Sequence, residues 1–85
     1  MSKFEIIFAK EALDNIENII RFIAKDNYGH AVIYRDGIEN IITGLPDNPY
    51  KGKQYGKRKS DRVCFYKNHK IHYRIIESKK LIRQC

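Results

Sequence analysis

The sequence predicts one α+β domain, in the order strand, helix, helix and then three or more strands. Three observations carry this. Residues 61–76, DRVCFYKNHKIHYRII, alternate apolar and polar side chains in two runs across a short polar centre, the period of strands with one buried face. Residues 10–43 instead repeat their apolar residues at three- and four-residue steps, as amphipathic helices do. The length of 85 residues is enough for a single domain, and a domain of this size has a small core, burying about 60–65% of the surface its unfolded chain exposes.

Residues 3–8, KFEIIF, place Phe4, Ile6 and Phe8 on one face of a first strand. From Lys10 to Asp26 Leu13, Ile16, Ile20 and Ile23 form a helical stripe that Ile19 and Ala24 widen. Asp26-Asn27-Tyr28-Gly29 is turn-prone and breaks it. A second helix is expected from His30 to Thr43, with Tyr34, Ile38, Ile41 and Leu45 along one side. Gly44 stands where a helix cap takes positive φ, and Pro46 follows. Both isoleucine stripes read as core, packed against the apolar face of the strands. Residues 46–60, PDNPYKGKQYGKRKS, hold two prolines and two glycines among basic residues, and read as an exposed basic loop or a weak strand.

In the hairpin that follows, Val63 and Phe65 are expected on the core face with Arg62, Cys64 and Tyr66 opposite. In its second strand Ile71, Tyr73 and Ile75 share the core face, and His72 and Arg74 look the other way. Lys67-Asn68-His69-Lys70 supplies the turn between them. Glu77-Ser78-Lys79-Lys80 reads as another turn, and LIRQC as a final strand.

The formal charge is +7, which favours a polyanion or an acidic protein as partner. Residues 11–40 are nearly balanced and the excess lies in 51–83. No apolar run approaches the roughly 20 residues that span a bilayer, and MSKFEII lacks the layout of a signal peptide. These features predict a cytoplasmic protein without a membrane partner, in which Cys64 and Cys85 stay reduced. No cysteine or carboxylate stands at zinc-like spacing from His69 and His72, so neither a metal site nor a cofactor is expected.

Two groups of residues are candidates for function. The open sheet face should carry Arg62, Tyr66, His72, Arg74 and Arg83. Arginines match phosphate geometry with paired donors, and a histidine can titrate near neutral pH as acid or base. The bland alternative is a solvated face whose charges deter edge pairing. The second group is the basic loop: Lys51, Lys53, Lys57, Arg58 and Lys59, interleaved with Tyr50 and Tyr55, where cations hold a phosphate backbone while a ring stacks on a base. Its alternative is an ordinary exposed loop. Glu11, Asp14 and Glu17 solvate the first helix, and His30 sits beside a turn.

The opening FEIIFAKEALDNIENIIRFIAKDN, the helix-ending GLPDNPYKG and the hairpin pattern VCFYKNHKIHYRI followed by LI together resemble the RelE/ParE toxin superfamily, the small basic toxins of bacterial toxin–antitoxin modules that include plasmid-stabilisation systems. The resemblance covers nearly the whole chain, as one toxin domain over residues 1–85 that ends just after its last core strand. It implies a curved antiparallel sheet packed on a helical hairpin, silenced by an acidic antitoxin that wraps it with a helix or strand. It implies one of two activities. The RelE branch is similar to ribosome-dependent mRNA endonucleases, and by position Arg62 and Arg74 match its phosphate-side basics, with His72 as proton carrier and Arg83 as a weaker match. The ParE branch inhibits DNA gyrase without the nuclease residues. The first half, ending its helix in IAKDN, resembles ParE, and the hairpin HKIHYRI is also similar to YoeB-like nucleases. Those nucleases continue past the last strand into a tail bearing a His and a Tyr, where this sequence reaches Cys85. Gyrase inhibition is therefore the favoured expectation, mRNA cleavage the alternative, and an inactive or truncated toxin that still binds its antitoxin the third.

Overall fold

The structure, a computed structural model, describes residues 4–85; Lys3, the expected first residue of the opening strand, lies outside them. Strand β1 (Glu5–Phe8) leads into helix α1 (Lys10–Asp26) and helix α2 (Tyr28–Gly44), followed by β2 (Lys53–Gln54), β3 (Asp61–Tyr66), β4 (His69–Ile76) and β5 (Leu81–Gln84). The five strands form one sheet in the order β1-β5-β4-β3-β2. This is the α+β architecture expected, with one difference: β1 runs parallel to β5, so the sheet is mixed, and only its other pairings are antiparallel. The helices and the three strands between β1 and β5 supply the long connection a parallel pairing needs.

A single residue joins the helices. Asn27 donates its backbone N–H to Ile23 O at 2.9 Å and accepts from His30 N at 3.0 Å through its side chain, so it caps one helix end and starts the next. The second helix thus begins two residues earlier than its periodicity suggested. It also runs through Gly44 to a C-cap at Leu45 in right-handed conformation. Positive φ at Gly44 is not needed, because Leu45 is itself buried in the core.

The core lies between α2 and the sheet. Ile38, Ile42 and Leu45 pack with Phe4, Cys64, Ile71, Tyr73, Ile75 and Ile82. Each isoleucine or leucine so buried contributes roughly 1.5–3 kcal/mol. α1 packs on α2 and contributes little to this cluster: Ala12 is its one buried residue, Ile16 is partly covered, and Leu13 is 47% exposed. The expectation that both stripes are core holds for α2 alone. The α1 stripe lines an open apolar groove of about 580 Å³, walled by Phe8, Leu13, Ile16 and Ile20 on one side and by Ile38 and Ile42 on the other.

The turn between β3 and β4 is only Lys67-Asn68, with Lys67 at φ 52°. This two-residue turn pairs Arg62 with Tyr73, Cys64 with Ile71 and Tyr66 with His69. Residues paired across an antiparallel ladder share a face, so Arg62, Cys64 and Tyr66 belong to the helix-facing side. Val63 and Phe65 lie on the open side, opposite His72 and Lys70. That reverses the face assignment expected for β3. The reason is physical: β3 is apolar in both phases, so its own pattern does not set its phase, which follows from pairing with the Ile71-Tyr73-Ile75 face of β4.

Candidate functional site

β4 places His72 and Arg74 on the open face, and β5 places Arg83 beside Arg74 in the ladder. Asp61 pairs with Arg74 across β3 and β4, and its Oδ1 accepts from Arg74 Nε at 2.7 Å. The hydrogen bond from that guanidinium holds the Asp61 carboxyl below the usual aspartate value. Conversely the carboxylate keeps Arg74 charged beyond its ordinary range. The ring of Tyr55, from the segment after β2, stands edge-on to His72 with centroids 4.7 Å apart. Tyr55, Asp61, Arg62, His72, Tyr73, Arg74 and Cys85 line a shallow cleft of about 330 Å³, so the expected Arg62, His72 and Arg74 do meet there. Cys85 is held there by its backbone N–H, which donates to His72 O at 3.0 Å.

A folded-state pKa below the unfolded one contributes stability that is present above the ordinary aspartate value of about 4 and is lost as pH falls through the folded pKa. Asp61→Asn is therefore expected to leave neutral-pH stability nearly unchanged, since the pair is solvated, and to shallow the loss of stability as pH falls below about 4. Chemical denaturation across that range checks it; an unchanged acid limb would remove the pair from the account.

Arg62 lines this cleft with its guanidinium already engaged. Its Nε donates to Lys59 O at 2.7 Å and its Nη1 to Gly52 O at 3.1 Å. Its guanidinium lies 5.0 Å from the centroid of the Tyr50 ring, and Tyr50 Oη donates to Glu77 at 2.8 Å. That hydrogen bond raises the tyrosine's pKa and lowers the glutamate's. Tyr73 completes the set from inside the core: its hydroxyl accepts from Gly52 N at 3.1 Å and donates to Pro49 O at 2.6 Å. Burial pushes this hydroxyl's pKa up to about 12, so it stays protonated and keeps its donor. Tyr66, expected on the open face, packs edge-on against Tyr34 with centroids 5.1 Å apart and covers Gly37. Cys64 is buried in the core.

The basic loop is exposed as expected. Lys51, Lys53, Lys57, Arg58 and Lys59 all face solvent, on a short 3-10 turn (Pro49–Lys51), the two residues of β2 and the excursion that returns through Gly56 at φ 85°. His69 shares a face with Tyr66 rather than with His72, and burial first, then the charge of His72, holds its pKa below the ordinary value. Among the described residues, no group of three or more His, Cys, Asp or Glu side chains is arranged to hold a metal ion. No helix among them is long and apolar enough to cross a membrane.

Four participants escaped the sequence pattern. Asp61 was legible in principle, because a turn at Lys67-Asn68 puts residue 61 opposite 74. The Tyr73 hydroxyl and the Tyr50–Glu77 tie are long-range contacts with no local signal. The apolar groove was hidden in a stripe that looked like ordinary core. Compared with known families, residues 6–83 match the family model described as the ParE toxin of type II toxin-antitoxin system, parDE. No curated protein matches the chain.

Proposed function

The chain belongs to the ParE family of toxins of type II toxin–antitoxin systems, and from that premise we propose that it arrests growth by binding DNA gyrase rather than by cutting mRNA. The observation that carries this reading is the prior engagement of the three residues a nuclease would use. Arg62, His72 and Arg74 line one cleft, but Arg62 is committed to two loop carbonyls, Arg74 to Asp61, and His72 to an edge contact with Tyr55. General acid–base cleavage needs a proton carrier and cations whose donors are free to take the phosphate. An inhibitor that acts by binding needs a surface, and this chain, of net charge +7, gathers its positive excess in the loop and strands of residues 51–83.

As a toxin of this family the protein has an antitoxin partner. We place that partner's apolar segment in the groove between α1 and α2, as an amphipathic helix with acidic residues on its outer side that offset the toxin's charge. Gyrase and antitoxin would both be met in the cytoplasm.

The test is expression in a susceptible bacterium with plasmid supercoiling and mRNA 5′ ends read from the same culture. Relaxed plasmid with intact mRNA is the expected result. The cleft of about 330 Å³ that brings Arg62, His72 and Arg74 together is the feature that favours cleavage of mRNA on ribosomes. Cuts inside translated codons, abolished by Arg74→Ala in a folded variant, would replace the gyrase reading with that one.

A further inference from the structure

The cations of the loop differ from those elsewhere in the chain. On the helices Arg21 pairs with Glu17, and Arg35 reaches Asp36 and Glu39; on the sheet Arg74 pairs with Asp61, and beyond it Lys80 pairs with Glu77. Among the described residues, none of Lys51, Lys53, Lys57, Arg58 and Lys59 lies within ion-pair distance of a carboxylate. Of the acids around the loop, Asp61 is engaged by Arg74, and Glu77 by Tyr50 and Lys80, while Arg58 acts on Asp61 only as a more distant charge. Five positive charges therefore stand within residues 51–59 without an ion-pair partner among the described residues.

They also stand on a backbone held in place. Tyr73 grips Pro49 and Gly52 from the core. Arg62 ties the start of the loop to its end through Gly52 O and Lys59 O. Tyr55 N donates to Asp61 O at 2.8 Å and Asp61 N to Arg58 O at 3.2 Å, closing the excursion between them. An ordinary solvated lysine loop needs none of this. Ordering beforehand lowers the entropy lost when several side chains engage one partner.

The aromatics decide which polyanion fits. Recognition of single strands needs rings free to stack on bases. Tyr50, 41% exposed, has Arg62 over its ring and is tied to Glu77, while Tyr55, 56% exposed, meets His72 edge-on, so each ring is held in place rather than free to follow a base. Five charges outnumber these two fixed rings, and no helix presents the charges to a groove. We infer that residues 49–59 form a preordered cationic platform that binds the phosphate backbone of duplex DNA without reading its sequence, and that Arg62 is its positioning residue rather than a phosphate ligand. This goes beyond the gyrase reading and does not depend on it, because the contact is measured with no enzyme present.

Binding of a short fluorescein-labelled DNA duplex is followed by anisotropy between about 50 and 200 mM KCl. Each cation on a phosphate contributes about 0.9 to the slope of log affinity against log salt, so five give a slope no steeper than about −4.5. Lys57→Gln with Lys59→Gln is expected to shallow the slope by about two. Arg62→Ala is expected to lower affinity roughly tenfold with the slope unchanged, and to speed amide exchange over residues 51–59. Arg62→Lys does not rescue, since an ammonium lacks the fork that reaches two carbonyls. Should Arg62→Ala fail to fold, Tyr50→Phe cuts only the outer tie to Glu77 and is expected to weaken binding at constant slope. A flat salt response, or tighter binding of single-stranded RNA than of the duplex, overturns the platform. A slope that falls with Arg62→Ala overturns the positioning role, because Arg62 would then touch phosphate itself.

Discussion

Gly52→Ala is expected to destabilise the fold by about 2–4 kcal/mol, lowering the thermal midpoint by about 10–20 °C for a domain of this size. Gly52 sits in extended conformation with φ −72°, so the backbone angle is open to any residue and the penalty comes from space. A Cβ there would lie 2.5 Å from Tyr73 Oη and 3.0 Å from Val63 O. The carbonyl belongs to a paired strand and cannot yield. The hydroxyl can move only by giving up Pro49 O and Gly52 N. Those groups are buried, so their loss carries the full penalty of unpaired polar atoms. Circular dichroism melts of Gly52→Ala, Tyr73→Phe and the double variant check this. The double variant should lose less than the sum, since removing the hydroxyl makes room for the methyl. A midpoint for Gly52→Ala within about 2 °C of wild type would mean the latch is slack.

The second large effect is expected on binding rather than on folding. Leu13 lines the groove between the helices and is nearly half exposed in the free chain. Leu13→Asp removes an apolar contact from any helix laid in the groove and faces it with a charge that must be desolvated. Affinity for the cognate antitoxin should fall at least a hundredfold, equivalent to about 2.7 kcal/mol. The fold should tolerate the change. Little buried area is lost, and an acidic side chain in the first turns of a helix is favoured by its dipole. Titration calorimetry against the antitoxin, beside a melt of the free toxin, separates the two readouts. Undiminished affinity in a folded variant would move the antitoxin to another surface.

Much of the fold was legible because strong periodicity is a local signal. The α2 stripe of Tyr34, Ile38, Ile41 and Leu45 packs as its spacing implies, with Ile42 added, and the Ile71-Tyr73-Ile75 alternation marks the core face of β4. What failed was whatever depended on a single residue of offset or on distance along the chain. β3 carries Val63 and Phe65 on one face and Cys64 and Tyr66 on the other, so hydropathy is nearly silent about its phase, and pairing with the strongly one-sided β4 chose it. Arg62 followed β3 to the other side, and its part changed from exposed cation to internal tie. The α1 stripe was correct as a helix face but not as core, because periodicity reports which residues share a side and not whether anything covers them. The candidate site was legible in its cations and illegible in their partners: Arg74 was visible, the Asp61 that engages it was not singled out.

The parallel pairing of β1 with β5 sets the order in which the molecule can be made. Glu5 is registered with Leu81 and Phe8 with Gln84, so the first strand finds its neighbour only when the last has been synthesised. The β3–β4 hairpin and the helical hairpin close over short loops and can form early, whereas joining the two ends of the domain carries the largest loop-closure entropy and comes late. Until then Ile6 has no strand beside it, Ile82 lacks one of its two neighbours, and the groove lacks the Phe8 wall that β1 supplies. A nascent chain thus lacks both its complete sheet and its complete groove before β5 arrives, and the two are finished together in one concluding step.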